Sequence, residues 1–191
     1  TLYTGSLGPC CYLRYRLATS PSFEGDANDK FQLLHDALSS ANAVLEKERA
    51  TRNWDNSLFE QEETLEGKQK VTLLNGESVG AMAMKVAIIH NMLPMMKLPD
   101  VNTDDLEMGE LLSGIQDSIN NLLGFATKYI LSEALSQNEC EIFQGRSGYL
   151  KAIKFVRSEI GDKNFGKQIV IEILEQVLEE GIELGQEKML L

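Results

Sequence analysis

Tyr3-Thr4-Gly5-Ser6-Leu7-Gly8, Leu74-Asn75-Gly76-Glu77-Ser78-Val79-Gly80 and Phe143-Gln144-Gly145-Arg146-Ser147-Gly148 are three glycine-centred turns, each leading into an apolar run. Gly5, Gly76 and Gly145 follow one another at intervals of 71 and 69 residues. Self-similarity at a near-fixed period is the mark of a repeat architecture. A glycine ahead of a helix permits positive φ or close backbone approach. Gly5, Gly8, Gly76, Gly80, Gly145 and Gly148 are therefore read as structural turn glycines, and the turns of such an array can gather on one face.

Outward from each turn the same grammar recurs. Cys11, Leu13, Tyr15 and Leu17 alternate with polar residues, which fits strand or helix; helix is preferred because the later copies are more clearly helical. Phe31, Leu34, Leu38, Ala41 and Leu45 then form one stripe, with Asp36, Ser39, Ser40, Glu46 and Lys47 expected on the wet side. Residues 50–70 are polar and read as an insertion loop. After the second turn, Ala81 to Leu93 is apolar on nearly every side, which predicts a helix buried all round, ended by Pro94 and Pro99. Asp104 with Glu107 reads as a cap pair ahead of a long outer helix through Leu111, Ile115, Ile119, Leu122, Ala126 and Ile130. A short inner segment follows the third turn. Phe165, Ile169, Ile173 and Val177 then mark a last stripe, widened by Leu174, Leu178 and Ile182, with Glu172, Glu175, Glu179 and Glu180 opposite. No strand series is visible. Buried helices alternating with amphipathic ones predict an all-α fold of two concentric layers, an α/α toroid or solenoid with repeats starting near residues 3, 74 and 143.

The formal charge of −11, from 29 acidic and 18 basic residues, argues against nucleic acid as the main partner. Cys10, Cys11 and Cys140 form no disulfide framework, which favours a reducing, cytoplasmic setting. No stretch reaches the roughly 18 apolar residues of a membrane span. The chain opens on Thr1, directly on a motif, and stops without a helix terminator, so it is expected to be a piece of a longer protein.

The first turn, the Leu74 to His90 block and, most specifically, Gly145-Arg146-Ser147-Gly148-Tyr149-Leu150-Lys151-Ala152 with the later Glu159-Ile160-Gly161 resemble the eukaryotic lanthionine synthetase C-like (LanC-like) family. The resemblance implies an α/α toroid of seven repeats, of which this chain, residues 1–191, matches the first three. It also implies zinc held by two cysteines and a histidine, and addition of the glutathione thiol to dehydroamino acids in peptides. Peripheral association with the plasma membrane is reported for some members. Zinc would hold the thiol as a thiolate beside the electrophilic alkene. The family's ligand motifs, Gly-x-x-His-Gly, Trp-Cys-His-Gly and Cys-His-Gly, do not occur here. The second turn has an extra residue between its glycines, and Asn75 where the family has cysteine. Zinc and glutathione are thus expected for the complete protein, with the remaining C-terminal repeats and a peptide substrate as partners. This segment is expected to be inactive alone, with no catalytic residue and no metal ligand. The alternative is a non-catalytic helical scaffold.

Arg146 and Tyr149 are the candidate substrate-binding residues. A guanidinium in a turn can clamp a carboxylate or phosphate bidentately, or pair with an acid of a neighbouring repeat. Zinc needs three or four converging ligands, and the spacing of Cys10, Cys11, His90 and Cys140 supplies no two. These cysteines read as buried structural residues, His90 as a core histidine, and His35 as a surface or packing one. The methionines Met82, Met84, Met92, Met95 and Met96 read as core filling. Asp104-Asp105 and Glu62-Glu63 fall in polar loops, which disfavours a glycosidase pair.

Overall fold

The computed structural model describes residues 7–51, 77–103, 106–131 and 145–189. Tyr3 to Ser6, Asn75, Gly76, Asp104, Asp105, Cys140, Phe143, Gln144 and all of the 50–70 insertion after Thr51 lie outside them. The fold is all-α. Its helices are α1 (Leu7–Ala18), α2 (Ala27–Thr51), α3 (Glu77–Met95), α4 (Met108–Phe125), α5 (Arg146–Ile160) and α6 (Lys167–Met189). Among the described residues there is no strand, and no helix is long and apolar enough to cross a membrane.

In α1, the alternating pattern resolves into two helical stripes. Cys11, Tyr15 and Ala18 turn inward at i, i+4 and i+7, whereas Leu13 and Leu17 face outward. Cys10 is exposed rather than buried, because the neighbour of an inward residue on a helix points about 100° away.

A reciprocal cap opens α2. Asp26 Oδ1 accepts the Asp29 N–H at 2.8 Å, and Asp29 Oδ2 accepts the Asp26 N–H at 3.3 Å. Phe31, Leu34, Ala37, Leu38 and Ala41 form its buried stripe, while Leu45 is half-buried. Ser40, expected on the wet side, is buried instead. Its hydroxyl donates to the Asp36 carbonyl at 2.9 Å and accepts from Arg14 Nη1 at 3.1 Å, so its polar atom is satisfied without water.

The central helix is α3, which packs against α1, α2, α4 and α5. One of its sides, Met84, Ala87, Ile88 and Met92, belongs to a core shared with α1 and α2. The other, Val79, Met82, Ala83 and Val86, belongs to a core shared with α4, α5 and α6. Two cores served by one helix account for apolar residues on nearly every side. Met84, Ile88, Ile89 and Met92 are fully buried, each contributing about 1.5–3 kcal/mol. Two expectations for this helix need correcting. Pro94 does not end it: α3 runs one residue past, to Met95, losing only the hydrogen bond that a residue-94 N–H would make. His90 is exposed, not in the core, because its position lies between the two buried faces.

The residue before α4 is Glu107, extended at φ −90° and ψ 128°, with no side-chain cap. It is therefore the cap position itself rather than the third residue of a box opened by Asp104. Leu111, Ser118, Leu122 and Phe125 are buried, and Ile115 and Ile119 are half-buried. The helix then widens into a π-helical turn, Ala126–Ile130, closed by the Leu131 N–H on the Ala126 carbonyl at 3.0 Å. The extra residue in that turn carries both Ala126 and Ile130 into the second core.

Gly145 precedes α5 at φ 89° and ψ −152°, a conformation essentially reserved for glycine. Gly8, Gly80 and Gly148 stand inside the first turns of α1, α3 and α5, so they act as helical residues rather than turn residues. Tyr149, Ala152, Ile153 and Val156 are buried along α5. At its other end Gly161 adopts the left-handed cap conformation. In α6, Ile173 is buried and Ile169, Val170 and Val177 are half-buried, whereas Leu174, Leu178 and Ile182 are exposed.

Candidate functional site

Three helices distant in sequence meet through polar side chains in an otherwise apolar interior. Tyr15 of α1, fully buried, donates its hydroxyl proton to Glu159 Oε2 near the end of α5. Asn91 of α3 donates Nδ2–H to the same phenol oxygen at 3.2 Å and to the Ala87 carbonyl at 2.9 Å. The Tyr15 ring stands edge-on to Phe155, with centroids 6.2 Å apart and planes at 71°. Burial, reinforced by the Glu159 carboxylate, pushes the Tyr15 phenol well above its ordinary range. The phenol is therefore a fixed hydrogen-bond donor, not a base.

The sequence marks these positions faintly. Tyr15, Asn91 and Glu159 follow at intervals of 76 and 68 residues, close to the glycine spacing. Glu159 opens the Glu159-Ile160-Gly161 run at the end of α5. Asn91 is a polar interruption of an apolar run, and Tyr15 reads only as part of an apolar stripe. Periodicity alone gives no sign that the three touch.

The two candidate substrate-binding residues sit elsewhere on α5. Arg146 is 1% exposed, and its guanidinium forks onto the Glu180 carboxylate of α6. Nη1 lies 2.9 Å from Oε2 and Nη2 lies 2.9 Å from Oε1. Its Nε has no partner among the described residues. Glu180, expected on the outer acidic side, is turned inward by this pair. Tyr149 is fully buried and donates its hydroxyl to the Leu122 carbonyl of α4 at 2.8 Å. Both residues thus tie helices together: Arg146 joins α5 to α6, and Tyr149 joins α5 to α4.

Zinc does not fit the side chains described here. Cys11 Sγ donates to the Ala37 carbonyl at 3.3 Å, and burial pushes its thiol up to about 12. A zinc ligand must be a thiolate. Cys10 and His90 are exposed, and among the described residues no three His, Cys, Asp or Glu side chains converge. A labelling difference follows. At mildly alkaline pH, iodoacetamide is expected to alkylate Cys10 readily and to leave Cys11 unmodified until the chain unfolds. The thiolate fraction of Cys11 is roughly a thousandfold smaller than that of an ordinary cysteine. Peptide mapping checks this; equal labelling of the two would remove Cys11 from the core.

In sequence and in fold the chain matches no protein-family model, no curated protein and no solved structure.

Proposed function

We propose that this chain is a portion of a LanC-like α/α toroid, about three of seven helical-hairpin repeats, from a protein that adds the glutathione thiol to dehydroamino acids in peptides. The observation that carries the reading is the meeting of α1, α3 and α5 through Tyr15, Asn91 and Glu159 at nearly the spacing of the glycine turns. Helices that recur and converge in this way suit the inner layer of a ring, with α2, α4 and α6 outside. The signature after Gly145 supports it as well, since that glycine adopts a backbone only glycine tolerates.

On this reading the zinc ligands and the glutathione pocket belong to repeats outside this chain. Arg146 and Tyr149 act as positioning groups that hold α5 against α6 and α4, between the two layers of the ring. The cytoplasm, with peripheral attachment to a membrane, is the setting that the reading carries, and nucleic acid is not a partner.

Two measurements test it. The 191-residue chain should contain no stoichiometric zinc by elemental analysis and should not add glutathione to a dehydroalanine peptide. The protein extended through its full reading frame should do both. Tight one-to-one zinc in the short chain would overturn the assignment. A full-length protein that holds zinc but lacks turnover favours the second reading, a non-catalytic helical scaffold. One observation favours that second reading already: the only cation of the signature turn, Arg146, has its charge matched inside the chain by Glu180.

A further inference from the structure

The cluster that joins α1, α3 and α5 leaves two acceptor oxygens unused. Tyr15 donates to Glu159 Oε2, and Asn91 directs Nδ2 at the phenol oxygen and at the Ala87 carbonyl. Among the described residues, Glu159 Oε1 and Asn91 Oδ1 accept no hydrogen bond, and Glu159 forms no ion pair. Both side chains are half-buried, so these oxygens can be reached while the fully buried Tyr15 holds their neighbours in place.

The backbone contributes the same sign of charge. Tyr15 stands three residues before the end of α1, Asn91 four before the end of α3 and Glu159 one before the end of α5. Each helix carries partial negative charge at that end, and its last carbonyls lack helical donors. A carboxylate oxygen and an amide oxygen therefore converge beside three helix C-termini, a spot rich in acceptors.

We propose that Glu159 and Asn91 hold a primary ammonium group. Such a group offers three donors and no acceptor, the complement of this set. Magnesium and calcium suit it poorly, since each takes six or more oxygens. The source of the ammonium rests on the thiol-addition reading: it is the free amino group of glutathione or of the peptide substrate. On that reading, side chains that link α1 to α5 across α3 face the interior of the ring, which further repeats enclose.

Methylammonium titrated into the 191-residue chain tests the site, with the Asn91 side-chain amide followed by proton–nitrogen NMR and tetramethylammonium, which has no N–H, as control. A saturable shift in the millimolar range is expected with methylammonium alone. Glu159→Gln keeps an acceptor for the Tyr15 phenol and removes the charge. It should weaken binding about ten- to a hundredfold, with the fold verified by circular dichroism. No shift, an equal shift with tetramethylammonium, or unchanged binding in Glu159→Gln overturns the proposal. In the protein extended through its full reading frame, Glu159→Gln should raise one KM about tenfold with little change in kcat. If the KM for glutathione rises and that for N-acetylglutathione does not, glutathione is the source. If the KM for a peptide rises only when its amino group is free, the peptide is the source. Turnover with neither KM altered overturns the substrate assignment. Methylammonium binding without any turnover removes the thiol-addition reading and leaves the ammonium site standing.

Discussion

Replacing Glu180 with alanine is expected to cost about 3–5 kcal/mol of folding stability, the loss typical when one partner of a buried ion pair is removed. Arg146 is almost fully buried, and both its terminal nitrogens are satisfied by the Glu180 carboxylate. Without that carboxylate a guanidinium remains in the interior, its Nε already without a partner among the described residues. A guanidinium stays charged in proteins, so that charge would be left uncompensated. In a chain of this size the loss corresponds to a fall of roughly 10 °C in Tm. The double variant Arg146→Met with Glu180→Leu should recover most of it, because exchange of a buried pair for well-packed apolar side chains is close to neutral or better. Urea unfolding of the two single variants and the double one measures the coupling. A loss below about 1 kcal/mol for Glu180→Ala would place the pair among solvent-exposed salt bridges, and the described docking of α6 on α5 would then be wrong.

The second large effect is alkaline unfolding. Burial raises the Cys11 thiol and the Tyr15 and Tyr149 phenols above their ordinary values, and Glu159 adds to the effect at Tyr15. For a group whose folded value is raised, its contribution is fully present below the unfolded value and is lost as pH rises through the folded one. The unfolded chain begins to release the cysteine proton near pH 9 and the tyrosine protons near pH 10, while the folded chain keeps all three. Each group lowers stability by about 1.4 kcal/mol per pH unit in its window, and the three together by about 4 kcal/mol per unit above pH 10. A domain with total stability on the order of 5–15 kcal/mol should then unfold within a few pH units. Far-UV circular dichroism and phenolate absorbance followed together are the measurement. Tyr15 and Tyr149 should ionise only as helicity is lost. Tyr15→Phe should flatten the slope above pH 10 by about a third; an unchanged slope would mean that the phenol is not buried as described.

How far the sequence could be read depends on what kind of information each feature carries. Helix and face follow from spacing, so the buried side of α2 and the inward rows of α5 were legible from Phe31, Leu34, Tyr149 and Ile153. The all-apolar character of α3 correctly announced burial on both sides. Where a single residue decides, spacing is silent. Ser40 is buried because Arg14, 26 positions away, supplies a donor. Glu180 turns inward because Arg146, 34 positions away, is there to meet it. His90 sits in the narrow exposed strip between two buried faces, a strip visible only once both partners of α3 are in place. The candidate site divides in the same way. Arg146 was singled out as a guanidinium in a turn, but a clamp for a ligand and a clasp for a neighbouring helix look identical until the acid is found. Tyr15 is marked only by its spacing, since a tyrosine in an apolar stripe announces its ring and conceals its hydroxyl.

The Tyr15 to Glu159 hydrogen bond joins residues 144 positions apart, and Asn91 bridges the interval between them. Contacts of that span carry a loop-closure penalty that local helix pairs do not. During folding, the neighbouring helices α1 with α2 and α3 with α4 are therefore expected to assemble early. The phenol–carboxylate clasp is expected to form last, so Tyr15→Phe should speed unfolding and leave the folding rate nearly untouched, as stopped-flow kinetics in urea would measure.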